Sequence, residues 1–225
     1  YGTGKTFLLH LTQLAAQHRG FVTTEGSLAH KHRLLIGSNG RGRGLIGEFV
    51  RNLATARYHD GGALELILER FLFPEDGGEI LSGEALQARL EPLTELEAGR
   101  DFSAMVTTYA AARQAGDERV QKAAIQWLTA DYRLQRDARE DGLEVSRVLG
   151  DEDVVRSLRL LAAFTKLAGF QGLIVCLDEA EGVMPANQKV RHANLSELVE
   201  LHDAVDGPGL GIFVASTVRF VEDVH

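Results

Sequence analysis

With 225 residues, 44% of them hydrophobic and 25% charged, the chain has globular composition and can bury a core as one large or two small domains, which excludes a disordered or fibrous polypeptide. Its 24 Lys and Arg against 32 Asp and Glu give a formal charge of −8, which argues against a broad nucleic-acid-binding surface but leaves DNA open at a local basic stripe. One cysteine excludes an internal disulfide and no apolar run reaches the roughly 18 residues of a membrane span, so a cytoplasmic protein without membrane contact is expected.

The chain opens with YGTGKTFLLHLTQLAAQHRG. The phosphate-binding P-loop reads G-x-x-x-x-G-K-[ST]. Gly4, Lys5 and Thr6 fill its last three places, so its first glycine would lie two residues before Tyr1. Phe7, Leu8, Leu11, Leu14 and Ala15 recur with helical period, which predicts an amphipathic helix over residues 5 to 18, ended by Gly20 in a left-handed cap. Phe21 to Thr24 reads as a strand. A loop rich in glycine and arginine follows from Gly37 to Gly44, then a helix at about 45 to 57.

Residues 63 to 170 are predicted helical almost throughout, with breaks at Pro74 to Gly78, Gly99, Gly116 and Gly142. GLIVCLDEAEG is different: an apolar run that stops on two acids, as a buried parallel strand does. A second such run, GLGIFVAST at 209 to 217, follows the helix NLSELVELHDAVDG. Strand, helix and strand of this kind predict a parallel sheet and an α/β fold.

The chemistry these stretches suggest is nucleotide binding. Gly2 and Gly4 let the chain wrap phosphates, Lys5 supplies a cation, Thr6 a hydroxyl for Mg²⁺, and the helix N-terminus its dipole. The nucleotide-binding stretch is Gly2, Thr3, Gly4, Lys5, Thr6 and Phe7. LIVCLDE supplies the complementary element, with Asp178 for the metal and Glu179 to polarise the attacking water. At the tip of GIFVAST, Ser216 or Thr217 is placed to sense the γ-phosphate. Cys176 and Trp127 read as core, and the AHKH pair His30 and His32 as a solvated loop. Arg41 and Arg43 read as a polar loop that could reach phosphate, while Asn187, Arg191 and Asn194 follow the Asp-Glu strand toward the γ-phosphate edge.

With these residues in place the chain resembles the ATP-binding proteins of BREX phage-defence systems, a P-loop family related to AAA-like ATPases. The matching stretches are YGTGKTFLLHL, GEFVRNLATARY, LAAFTKLAGFQGLIVCLDEAEGV, PANQKVRHANLSEL and GLGIFVASTVRFVED, which span almost the whole chain. The resemblance implies binding and hydrolysis of ATP with Mg²⁺, with Lys5, Thr6, Asp178 and Glu179 in the usual roles. It also implies protein partners in a defence complex and leaves a homo-oligomer open. Near the end the family pattern reads T-P-E-F where this chain has Thr217, Val218, Arg219 and Phe220, so no acidic role transfers there.

The expected architecture is a three-layer P-loop NTPase core, residues 1–62 and 151–225, with a long helical insertion over 63–150. A first strand upstream of Tyr1 and a C-terminal lid are expected to be missing, the strand lying next to both the Asp-Glu and the sensing strands. Without that strand the 225 residues alone are expected to be poorly soluble and inactive. Two rival readings are a nucleotide-gated switch that does not turn over and a small-molecule P-loop kinase. The Glu after Asp178 favours hydrolysis, and no acceptor-binding constellation supports the kinase.

Overall fold

The computed structural model describes residues 4–28, 43–74, 78–149, 154–184, 187–204, 209–217 and 220. Gly2, Thr3, His30, His32 and Arg41, named above for their chemistry, lie outside them, as does the side chain of Arg43.

Helix α1 (Lys5–His18) has the predicted bounds. Gly20, at φ 81°, turns the chain out of it, as only glycine does without strain. Strand β1 (Val22–Ser27) runs three residues further than its apolar start suggests, because Glu25, Gly26 and Ser27 continue the ladder opposite Cys176, Leu177 and Asp178. Helix α2 (Arg43–Arg51) ends well before residue 57. There the chain turns and Ala54 pairs with Thr23 in an antiparallel bridge along the outer edge of β1.

Among the described residues six helices follow before the next strand: α3 (Leu64–Leu72), α4 (Gly83–Thr94), α5 (Gly99–Ala115), α6 (Glu118–Leu128), α7 (Gln135–Glu140) and α8 (Val154–Leu167). The break expected at Gly99 falls one residue earlier, at Ala98, which is left-handed with φ 60°. Gly99 is needed for a different reason, since a Cβ on it would overlap the Leu93 carbonyl. Phe164 of α8 packs its ring against Phe71 of α3 and Phe102 of α5, each with centroids 5.1 Å apart. These contacts join the helical stretch to the α/β part in one apolar core.

Strands β2 (Leu173–Asp178) and β3 (Leu210–Val214) flank α9 (Gln188–Ala204), and the sheet is parallel in the order β1-β2-β3. The period of two sorts its faces. Thr23, Glu25 and Cys176 meet α1, whereas Thr24 and Gly26 meet α2, and Leu173, Val175 and Leu177 enter the main core. Helices therefore cover both faces. Among the described residues β2 is paired on both sides, by β1 and β3, and the open edge of the sheet is the outer one of β3.

Helix α1 turns its apolar stripe outward: Phe7 is 66%, Leu8 64%, Leu11 46% and Leu14 42% exposed. The face turned to the sheet is mixed, with Leu9 and Ala16 buried beside the polar Gln13 and Gln17. Gln17, 2% exposed, donates through Nε2 to Thr23 Oγ1 at 2.8 Å and accepts through Oε1 from His59 Nδ1 at 2.8 Å. Gln13 Nε2 donates to Glu25 Oε2 at 3.0 Å. The α1 face of β1 presents Thr23 and Glu25, which an apolar stripe could not satisfy. Among the described residues no helix is long and apolar enough to cross a membrane.

Candidate functional site

Gly4 precedes α1 with φ 74°, a left-handed conformation that lets the chain enter the helix sharply. A Cβ there would meet nothing within 4 Å, so the requirement for glycine is conformational rather than one of space. The Gly4 carbonyl accepts from Leu8 N at 2.9 Å, which closes the first helical turn and leaves the N-terminal N–H groups facing outward. Lys5 and Thr6 open the helix.

Thr6 Oγ1 donates to Asp178 Oδ2 at 2.7 Å, across 172 positions of sequence. The other carboxylate oxygen of Asp178 accepts from Glu179 N at 2.8 Å. The two halves of the predicted constellation therefore meet at one place, the C-terminal end of β2 beneath the N-terminus of α1. Hydroxyl and carboxylate oxygens suit Mg²⁺, which takes few protein ligands and completes its shell with phosphate and water. Among the described residues there is no group of three or more His, Cys, Asp or Glu side chains that could hold a metal by itself.

Glu179 is exposed and left-handed, at φ 56° and ψ 44°, a conformation that costs a non-glycine residue about 1–2 kcal/mol. Its Oε2 accepts from Ser27 Oγ at 2.7 Å. Ser27 lies opposite Asp178 in the β1–β2 register, and sequence reasoning missed it because the polar EGS of β1 hides the strand's true end. Parallel register counted back from Asp178 would have found it.

The tip of β3 sits beside that of β2, joined by Ala215 N donating to Leu177 O at 2.7 Å and Ala180 N donating to Ala215 O at 3.1 Å. Ser216 and Thr217 follow directly, and the backbone N of Thr217 donates to Glu181 Oε2 at 3.1 Å. Asn187, Arg191 and Asn194 have structural contacts instead: Asn187 Oδ1 caps α9 by accepting from Val190 N, Arg191 reaches the Met184 carbonyl, and buried Asn194 donates to Val190 O.

A cleft of about 150 Å³ opens between Thr6, His10, Glu25, Ser27, Cys176 and Asp178. It adjoins a larger cavity of about 370 Å³ between α1 and residues 52–61, and His10 and Glu25 line both. Lys5, Glu179, Ser216 and Thr217 do not line the smaller cleft. Cys176 is fully buried, as expected, and burial pushes its thiol up to about 11, with a Gln13 hydrogen bond opposing and the Glu25 and Asp178 charges adding to the shift. Two units above the ordinary 9.0 leaves about 10²-fold less thiolate at neutral pH. Native protein is thus expected to react with iodoacetamide at least about 10²-fold more slowly than denatured protein. Equal rates by mass spectrometry would show that the strand opens freely.

No curated protein and no solved structure matches the chain. One family model does, that of the BREX system ATP-binding protein BrxC/D, and it matches residues 1–225. The chain therefore belongs to the BREX system ATP-binding protein BrxC/D family.

Proposed function

We propose that this protein binds ATP on a P-loop at the N-terminus of α1 and hydrolyses it as a BREX defence ATPase. The observation that carries this reading is the 2.7 Å contact of Thr6 with Asp178, which joins two remote motifs as a nucleotide and Mg²⁺ site requires. Family membership supports the ATP-binding part.

In this reading Gly2, Thr3, Gly4, Lys5, Thr6 and Phe7 surround the phosphates. Lys5 places its ammonium on the β- and γ-phosphates, and backbone N–H groups at the helix start add neutral donors. Thr6 and Asp178 would hold Mg²⁺, which when bound supplies charge neutralisation to the phosphates. Glu179 orients the attacking water in line with the bond that breaks and takes its proton, while Ser216 or Thr217 hydrogen-bonds the γ-phosphate side. Residues 63–150 form a helical insertion within an ATPase core of 1–62 and 151–225, and offer surface for partners in a defence complex.

Lys5→Ala is expected to weaken ATP binding about tenfold or more, through loss of one charge-assisted contact. Calorimetric titration of the full-length protein tests it. Unchanged affinity would remove the P-loop assignment.

A further inference from the structure

We infer that a groove at the foot of the sheet, between α1, α3 and residues 55–57, receives a short segment of a partner protein in which acidic residues flank apolar ones. The groove has a volume of about 690 Å³, within the range of sites that enclose a ligand. It opens where β1 and β2 begin, at the opposite end of the strands from Thr6 and Asp178, so its occupant and a nucleotide do not compete for space.

Its walls are aromatic and its rim is cationic. Phe21 enters from the start of β1, Phe73 from the end of α3 and Phe170 from the turn before β2, and all three are half-buried. Phe73 and Phe170 pack against the core and still keep part of their surface open. Arg57 and Arg70 are exposed at the rim, and neither has a carboxylate partner among the described residues. Arg70 lays its guanidinium over the Phe170 ring, 4.3 Å from the centroid, and donates to the Gly169 carbonyl at 2.8 Å, which holds it in place. Glu69, the acid that lines the groove, is bound by Arg113 of α5 at 2.5 Å and so leaves the two rim arginines uncompensated.

Two guanidinium forks beside aromatic walls suit carboxylates that flank apolar side chains. The forks meet the acids in bidentate pairs and the rings cover the apolar part. A nucleic acid can meet the same arginines, but its run of phosphates would continue over a chain of formal charge −8 and be repelled there. A peptide carries its acids only where the arginines stand. The outer edge of β1 beside the groove is already paired, Thr23 with Ala54, so the segment is held by its side chains rather than as an added strand.

The test is retention of synthetic peptides on immobilised full-length protein, read by mass spectrometry. One mixture holds acetylated, amidated hexapeptides with Asp or Glu at the outer positions and Leu, Ile, Phe, Tyr or Trp at the central two; a second has Lys in place of the acids. The acidic peptides are expected to be enriched at least about tenfold over the lysine ones, and Arg57→Ala to weaken the best of them about tenfold, as loss of one charge-assisted contact does. Ala56→Trp fills the groove from an exposed position without touching its charges and is expected to abolish retention, with thermal melting showing that both variants fold. No enrichment, or enrichment that survives both substitutions, overturns the inference. A DNA single strand of about twelve nucleotides that binds through Arg57 where the peptides do not would make the groove a nucleic-acid site. A dimer in sedimentation that Arg57→Ala dissolves would make its occupant a second copy of this chain, and either result also overturns the inference.

Discussion

Replacing Glu179 by Gln is expected to lower ATP hydrolysis about 10²- to 10⁴-fold while leaving ATP and Mg²⁺ binding nearly normal. The amide keeps the size of the side chain and can still meet Ser27, so the strand end is not disturbed. What it loses is the ability to take a proton from water, a loss equivalent to about 3–5 kcal/mol in the barrier. Binding is expected to persist because the Thr6–Asp178 pair lies outside the substitution. Single-turnover rates and nucleotide affinity, measured side by side, check both halves. Turnover near the wild-type rate would make Glu179 structural, and a wild-type protein that binds ATP tightly without turning it over would favour the nucleotide-gated switch.

The largest effect on stability is expected from Trp127→Ala, about 3–5 kcal/mol in chemical denaturation. Trp127 is fully buried on the inner face of α6, beside Ala123, Ala124 and Leu128. Its indole Nε1 donates to the Arg147 carbonyl at 3.0 Å, tying α6 to the segment that follows α7. Truncation leaves a cavity and an unsatisfied carbonyl together. Trp127→Phe fills most of the volume and loses only the donor, so a smaller cost of about 1–2 kcal/mol is expected. Equal costs for the two would mean that the hydrogen bond outweighs the packing.

Much of the fold was legible because its signals are local. Gly4 and Gly20 bracket α1, and the apolar runs ending at Asp178 and Val214 mark two buried parallel strands. The joining of Thr6 to Asp178 followed from motif chemistry, since neither residue has another evident reason to stand at the end of its element. What could not be read is tertiary. The periodicity of Phe7, Leu8, Leu11 and Leu14 shows that α1 has two faces but not which one meets the sheet. Polar β1 conceals its own length, and with it the register that brings Ser27 beside Glu179. Helix α4 carries Pro92 inside it, and α9 begins at Gln188, several residues before its apolar pattern.

The polar layer between α1 and β1 bears on how the helix is held in register. Apolar faces slide over one another at little cost, because dispersion is nearly indifferent to a small shift along the axis. The hydrogen bonds of Gln13 with Glu25 and of Gln17 with Thr23 are directional, and a displacement or rotation of α1 would break them inside a partly dry layer. They act as two pegs a helical turn apart, fixing both the roll and the height of the helix. Thr6 stands two turns up from Gln13 on the same helix, so the pegs set how far its hydroxyl stands from Asp178. In α1, polar contacts serve as a ruler rather than as glue.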